Sequence, residues 1–144
     1  MQPIHILLVE DNEGDIMLTK EALEEGKIAN EISVARDGKQ AIDYLENHLA
    51  NKNNKLPDLI LLDINLPRKN GYEVLHYIKE NETLKQIPVI ILTTSSSERD
   101  VTLAYKNHAN CFISKPVEAD QFLEVIASIE NFWISIVKLP NKRQ

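Results

Sequence analysis

The 144-residue chain has very little of several features that define whole classes of protein. It has one cysteine, Cys111, so a disulfide scaffold is excluded and a cysteine-based zinc site is not available. The apolar run at residues 6–9 stops at Glu10, which makes it too short for a signal peptide or a membrane span. Acidic residues outnumber basic ones by 22 to 16, which argues against binding to nucleic acid. We therefore expect a cytoplasmic protein that binds neither nucleic acid nor membranes.

Glycine-rich phosphate loops are also missing. The chain has four glycines and contains neither GxxxxGK[ST] nor GxGxxG, so nothing in it supports nucleotide binding. The four histidines are scattered along the chain, and we interpret them as surface or packing residues rather than metal ligands. A zinc site is not expected.

The chain does have a regular alternation of strand-like and helix-like segments. Residues 4–9, 59–62 and 89–92 are almost continuously apolar, as expected of strands that are buried on both faces. Residues 31–34 alternate, which predicts an edge strand with one wet face, and residues 111–113 form a fifth candidate strand. Helical spacing of apolar residues occurs over residues 14–25, 39–49, 71–80, 97–107 and 118–136.

Five repeats of strand and helix predict right-handed crossovers and a parallel sheet covered on both faces. Three wholly apolar strands belong in its centre, which favours a flavodoxin-like, doubly wound α/β fold with strand order 2-1-3-4-5 and five helices. We expect one domain over residues 1–144, with residues 132–144 as a C-terminal extension of the last helix. Ser97 and Asp100 predict a capping box for a fourth helix that buries Tyr105, and a cis bond is expected before Pro116.

Polar residues that can do chemistry follow the predicted buried strands. Glu10 and Asp11 follow the first strand, and Asp63 follows the third. The fourth strand ends at Thr93, and the fifth runs into Lys115. The carboxyl ends of parallel strands lie along one edge of the sheet, where open α/β sheets bind ligands. Three carboxylates, a hydroxyl and an ammonium are therefore expected to converge.

Three carboxylates at one place need a cation. Two like charges about 4 Å apart repel by roughly 4 kcal/mol at an effective dielectric of 20, so protons or a bound cation must relieve the repulsion. Hard oxygen ligands favour Mg²⁺ over zinc. With Mg²⁺ held by Glu10, Asp11 and Asp63, phosphoryl transfer becomes the natural chemistry. Asp63 is then the candidate carboxylate nucleophile, with Thr93 and Lys115 on the phosphoryl oxygens.

Four motifs at these strand ends, together spanning nearly the whole chain, resemble the receiver domain of CheY-like response regulators. They occur in the same order and at the same strand ends as in that family. The motifs are Val9-Glu10-Asp11-Asn12, Leu61-Leu62-Asp63-Ile64-Asn65-Leu66-Pro67, Ile91-Leu92-Thr93-Thr94-Ser95 and Phe112-Ile113-Ser114-Lys115-Pro116.

The resemblance implies a phosphoacceptor signalling domain of a two-component phosphorelay rather than an enzyme. Asp63 would accept a phosphoryl group from a phosphohistidine of a sensor histidine kinase. Thr93 would move towards that group, and Phe112, which stands where a tyrosine is frequent, would be the aromatic that changes rotamer. The metal ligands that the resemblance implies for Mg²⁺ are Glu10, Asp11, Asp63 and the backbone carbonyl of Asn65.

A narrower resemblance is to the small stand-alone regulators that partner phytochrome-type histidine kinases. It rests on residues 10–15, the extended loop before residues 56–59, residues 63–69 and the tail at residues 132–140. The kinase partner that it implies is of the phytochrome type.

The last helix carries more apolar residues than one sheet face can bury. Between Phe122 and Val137 these residues cover more than one stripe. Either the end of the helix folds back on its own domain, or the last helix and tail form a homodimer interface. We favour the homodimer.

Two other functions remain open at this point. A phosphatase of the haloacid-dehalogenase type also uses a strand-end aspartate with Mg²⁺. It usually has a cap domain and a second aspartate two residues on, where this chain has Asn65. A degenerate receiver would act as a binding module without taking phosphate, although such chains typically lose the acceptor or the lysine.

Overall fold

The computed structural model describes residues 3–26, 29–51 and 53–136, with the backbone alone for residues 134–136. The strands are β1 (Ile4–Val9), β2 (Asn30–Ala35), β3 (Leu59–Leu62), β4 (Val89–Thr93) and β5 (Cys111–Ser114). The helices are α1 (Glu13–Glu24), α2 (Gly38–Ala50), α3 (Gly71–Glu80), α4 (Glu98–Lys106) and α5 (Ala119–Ile129). A 3₁₀ turn, Leu84–Gln86, precedes β4, and a π-helical segment, Glu130–Ile136, follows α5.

All five strands pair in parallel, in the order β2-β1-β3-β4-β5. The predicted fold class and strand order are therefore confirmed. Parallel neighbours require crossover connections, and the helices that make them cover both faces of the sheet.

Both faces of the central strands are buried, because successive side chains enter two different apolar clusters. Leu7 and Leu62 pack on one face with residues of α2, α3 and α4, whereas Leu8 and Leu61 pack on the other with residues of α1 and α5. This arrangement explains why β1, β3 and β4 lack polar alternation. In β2 the prediction of one wet face is wrong at Ser33, which is half-buried and hydrogen-bonded to His5 and Tyr44.

Helices α1 to α4, but not α5, begin at a polar side chain that accepts a hydrogen bond from the first helical turn. Asn12, Asp37, Asn70 and Ser97 fill this role for α1 to α4. Only one of the two hydrogen bonds of the capping box predicted for α4 is present. Ser97 accepts from the N–H of Asp100, but the N–H of Ser97 donates to Ser95 instead of to the Asp100 carboxylate. That carboxylate is occupied by Ser95 Oγ and by Tyr72 Oη of α3.

Three further expectations differ from the structure near β5 and α5. Tyr105 is 49% exposed, because its hydroxyl lies at the outer edge of β5, where it accepts from the N–H of Phe112. Among the described residues every peptide bond is trans, including the one before Pro116. The last helix does not continue as one α-helix to residue 136 but changes to π geometry at Glu130. Val137 and the rest of the tail lie outside the described residues.

Candidate functional site

The strand ends bring three carboxylates to one point, as expected. Glu10 follows β1 and Asp63 follows β3, and these two residues are only 3% and 6% exposed. Asp11 is exposed on the rim. One oxygen from each of the three carboxylates can be chosen so that all lie within 4.8 Å of one another. The donor set is made of oxygens alone, which fits a hard divalent cation such as Mg²⁺ or Mn²⁺.

Lys115 reaches into this cluster from the end of β5. Its Nζ donates to Glu10 Oε1 at 2.5 Å, to Asp15 Oδ2 at 2.9 Å and to Asp63 Oδ2 at 3.0 Å. Its backbone N–H donates to the carbonyl of Thr93 at 2.6 Å, which ties the end of β5 to the end of β4. An ammonium has three N–H donors, so Lys115 is fully satisfied by the three carboxylates.

Burial and charge act against each other in this pocket. Burial raises the pKa of Glu10 to about 7, assisted by the charge of Asp63 and opposed by Lys115. For Lys115, burial lowers the pKa, but the neighbouring Glu10 and Asp63 carboxylates outweigh it and the net direction is upward. Lys115 therefore stays charged and partly neutralises the pocket. A divalent cation would supply the remaining positive charge.

Thr93 and Asn65 lie beside Asp63, and Phe112 lies further along the sheet. The backbone N–H of Asn65 donates to Asp63 Oδ1 at 2.9 Å, and its side-chain amide donates to Thr93 Oγ1 at 3.3 Å. Thr93 is fully buried. Phe112 is half-buried, pairs with Ile91 of β4 and packs against the cluster under α2, α3 and α4. The switch role of Thr93 and Phe112 stays a prediction.

Sequence reasoning missed Asp15, the third partner of Lys115. The signal available in the sequence was its place in the first turn of α1, the helix that follows the Glu10-Asp11 pair. The first turn of a helix that leaves a strand end faces the same edge of the sheet as that strand end.

The architecture and this cluster define a class of protein. The family model of the response regulator receiver domain matches residues 6–127 of the sequence, and the chain belongs to this family. It is accordingly a receiver with a phosphoacceptor signalling role, which makes the haloacid-dehalogenase alternative unnecessary. Within the described residues, no helix combines the length and the apolar character that a bilayer span would need.

Individual relatives are similar along almost their whole length. The chain is 44% identical over 138 residues to response regulator Rcp1 of Synechocystis sp., covering 96% of this chain and 94% of that protein. The crystal structure of the phosphorylated cyanobacterial phytochrome response regulator RcpA superposes with a TM-score of 0.92 at 44% identity, covering 97% of this chain and 100% of that one. The Mn²⁺-bound form of Rcp1 superposes with a TM-score of 0.90 at 43% identity, covering 96% and 100%.

Proposed function

We propose that Asp63 accepts a phosphoryl group from the phosphohistidine of a sensor histidine kinase, in a reaction that depends on Mg²⁺. The observation that carries this proposal is the position of Asp63. It is a carboxylate 6% exposed, in contact with Lys115 and within 4.8 Å of ligand oxygens of Glu10 and Asp11. In the transfer, an oxygen of Asp63 forms a bond to phosphorus while the bond from phosphorus to the donor imidazole breaks.

The chain supplies most of the groups that this reaction needs. Lys115 offers an N–H to a phosphoryl oxygen by giving up one of its carboxylate contacts, and the Thr93 hydroxyl offers a second donor. The N–H of Asn65 orients the Asp63 carboxylate. Mg²⁺, held by Glu10, Asp11, Asp63 and the backbone carbonyl of Asn65, would neutralise charge on the phosphoryl oxygens. The existence of a Mn²⁺-bound form of Rcp1, a similar protein, supports the proposal that this chain binds a divalent cation.

We propose a phytochrome-type histidine kinase as the phosphoryl donor, in the cytoplasm. The similarity to RcpA, a phytochrome response regulator, supports this choice. Phosphorylation adds about −1.5 to −2 charge, and the movement of Thr93 towards it would change the face made by α4, β5 and α5, where Phe112 would change rotamer. The signal then leaves through a protein that binds the two states unequally.

Intact mass after incubation with acetyl phosphate and Mg²⁺ tests the phosphoacceptor. One phosphoryl group is expected on the wild type and none on Asp63→Asn. Asp58→Asn is the matched control, because Asp58 is also buried but lies at the amino-terminal end of the same strand, where it accepts from the N–H of His5. Absence of any adduct on the wild type would favour the degenerate receiver. An adduct that persists in Asp63→Asn would place the acceptor elsewhere.

We also propose a homodimer through the last helix and the tail. Phe132 is 51% exposed and stacks edge-on against Trp133, beside a groove of about 660 Å³ between β5 and α5. Light scattering on the full chain and on a chain without residues 132–144 tests the interface. Phe132→Asp should dissociate the dimer, whereas Val117→Asp, at a residue that is 97% exposed on the β5–α5 loop, should not. An unchanged mass after truncation would reject the interface.

A further inference from the structure

One of the three carboxylates that hold Lys115 belongs to neither the proposed metal site nor the phosphoacceptor. Asp15 Oδ2 accepts from Lys115 Nζ at 2.9 Å, although the two residues are 100 positions apart in the chain. The side chain of Asp15, in the first turn of α1, is 24% exposed. A bond from a charged donor to a charged acceptor is about twice as strong as a neutral one.

The backbone of Asp15 is hydrogen-bonded on both sides of the residue. Its N–H donates to Oδ1 of the N-cap residue Asn12 at 2.9 Å, and its carbonyl accepts from Thr19 Oγ1 at 2.7 Å. Its backbone is therefore fixed on both sides, within the first turn of α1. A short carboxylate on an anchored backbone can set the position of a lysine side chain, because the lysine has the greater rotamer freedom.

Lys115 and a divalent cation would share two of the same carboxylates. The ammonium occupies an oxygen of Glu10 and an oxygen of Asp63, which are two of the three candidate cation ligands. If all its donors turned to these two residues, its positive charge would lie closer to both carboxylates and would oppose a cation that binds them. The third contact, to Asp15, draws the ammonium towards α1 and offsets its charge.

We propose that Asp15 is a positioning residue for Lys115. It keeps the ammonium at the side of the pocket so that Glu10 and Asp63 can bind a divalent cation, and it stays as the anchor when Lys115 turns one N–H to the phosphoryl group. The second part rests on the proposed function, whereas the first concerns cation binding alone.

Calorimetric titration with Mg²⁺ alone tests the first part. Asp15→Asn removes the charge but keeps the shape of the side chain, and Asp15→Glu keeps the charge. Glu13→Gln is the matched control, because it removes the same charge from the same helical turn, where Glu13 contacts Arg36. Asp15→Asn should weaken Mg²⁺ binding by about tenfold, after allowance for the partial exposure of Asp15. Glu13→Gln should change it by less than about twofold, because it is a surface ion pair.

Phosphorylation by acetyl phosphate at a series of Mg²⁺ concentrations tests the second part. Asp15→Asn should shift the half-saturating Mg²⁺ concentration upward by the same factor and also lower the rate at saturating Mg²⁺ by more than about threefold, because Lys115 then lacks its anchor when it turns to the phosphoryl group. An unchanged rate at saturating Mg²⁺ would overturn the second part. Asp15→Glu should restore most of the affinity. A merely structural role for Asp15 would lower the stability of the protein without moving the half-saturating concentration.

Equal changes in Asp15→Asn and Glu13→Gln would overturn the proposal, since net charge alone would then explain them. Unchanged Mg²⁺ affinity in Asp15→Asn would overturn it as well. If the wild type takes no phosphoryl group while Asp15→Asn still loses Mg²⁺ affinity, the proposed function fails and the positioning of Lys115 by Asp15 stands.

Discussion

Replacing Lys115 by methionine should make the metal-free protein less stable and make divalent cations bind more tightly. The Nζ of Lys115 lies within 3.0 Å of oxygens from three carboxylates. Methionine fills much of the same space but carries no charge. Glu10 and Asp63, which are 3% and 6% exposed, would then face each other without a positive charge between them.

The distances give the size of the effect. Ligand oxygens of Glu10, Asp11 and Asp63 lie within 4.8 Å of one another. At that separation each pair of like charges repels by about 3.5 kcal/mol at an effective dielectric of 20. Breaking a buried ion pair from one side costs about 3–5 kcal/mol. Both the exposure of Asp11 and the ability of Glu10 to take up a proton reduce the repulsion. We therefore expect Lys115→Met to lose about 3 kcal/mol in the free energy of unfolding, at pH values above the pKa of Glu10.

Urea unfolding of Lys115→Met in EDTA and in Mg²⁺ measures this loss and its recovery. Mg²⁺ should restore most of the lost stability and bind about tenfold more tightly than to the wild type. Lys79→Met is the matched control: Lys79 also makes three hydrogen bonds, but to the oxygens of Lys85, Ile87 and Asn110 rather than to carboxylates. Equal unfolding free energies of wild type and Lys115→Met in EDTA would refute the reasoning, as would a Mg²⁺ response no larger than that of the wild type.

Three further predictions concern the surroundings of the site and the fold. A Cβ at Gly71 would lie 2.3 Å from Ile64 Cα, so Gly71→Ala should displace α3 from the loop after Asp63 and lower the unfolding free energy by about 2–3 kcal/mol; an unchanged melting temperature would contradict this. Burial lowers the pKa of His5, so the unfolded chain takes up the proton first and stability should fall as the pH drops below about 6.5. Urea titrations at neutral and acidic pH should show this fall reduced in His5→Gln, and an equal fall in both proteins would exclude His5 as its source. Tyr72→Phe removes the 2.5 Å hydrogen bond to Asp100 and should lower the free energy of unfolding by about 1 kcal/mol. A double-mutant cycle with Asp100→Asn measures the coupling between the two residues, and an absence of coupling would contradict this prediction.

Local sequence patterns predicted most of the strands and helices of the fold. The predicted bounds of β1, β3 and α3 agree with the structure, and the other elements begin and end within a residue or two, except at the end of α5. Apolar continuity marks a strand buried on both faces, and α3 begins where Asn70 and Glu73 form a capping box. Both signals involve residues that are neighbours in the chain, so they can be recognised without knowing the tertiary arrangement.

The convergence of Glu10, Asp11 and Asp63 also followed from the sequence. Parallel strands expose their carboxyl ends at one edge, so the residue after each strand is placed once the strand order is known. That rule predicts which residues lie near one another, but it does not predict which of them are in contact. It placed Lys115 at the site without showing which carboxylates would hold it.

Only the tertiary structure decided those contacts. The bond from Lys115 to Asp15 depends on the rotation of α1 about its axis relative to β5, and the exposed position of Tyr105 depends on how α4 lies along the sheet edge. Side chains a hundred residues apart meet through packing of whole elements, which no local period or cap encodes. The sequence by itself determined the sheet and the edge where its chemistry lies, whereas the packing of helices against that sheet decided which carboxylates share the lysine.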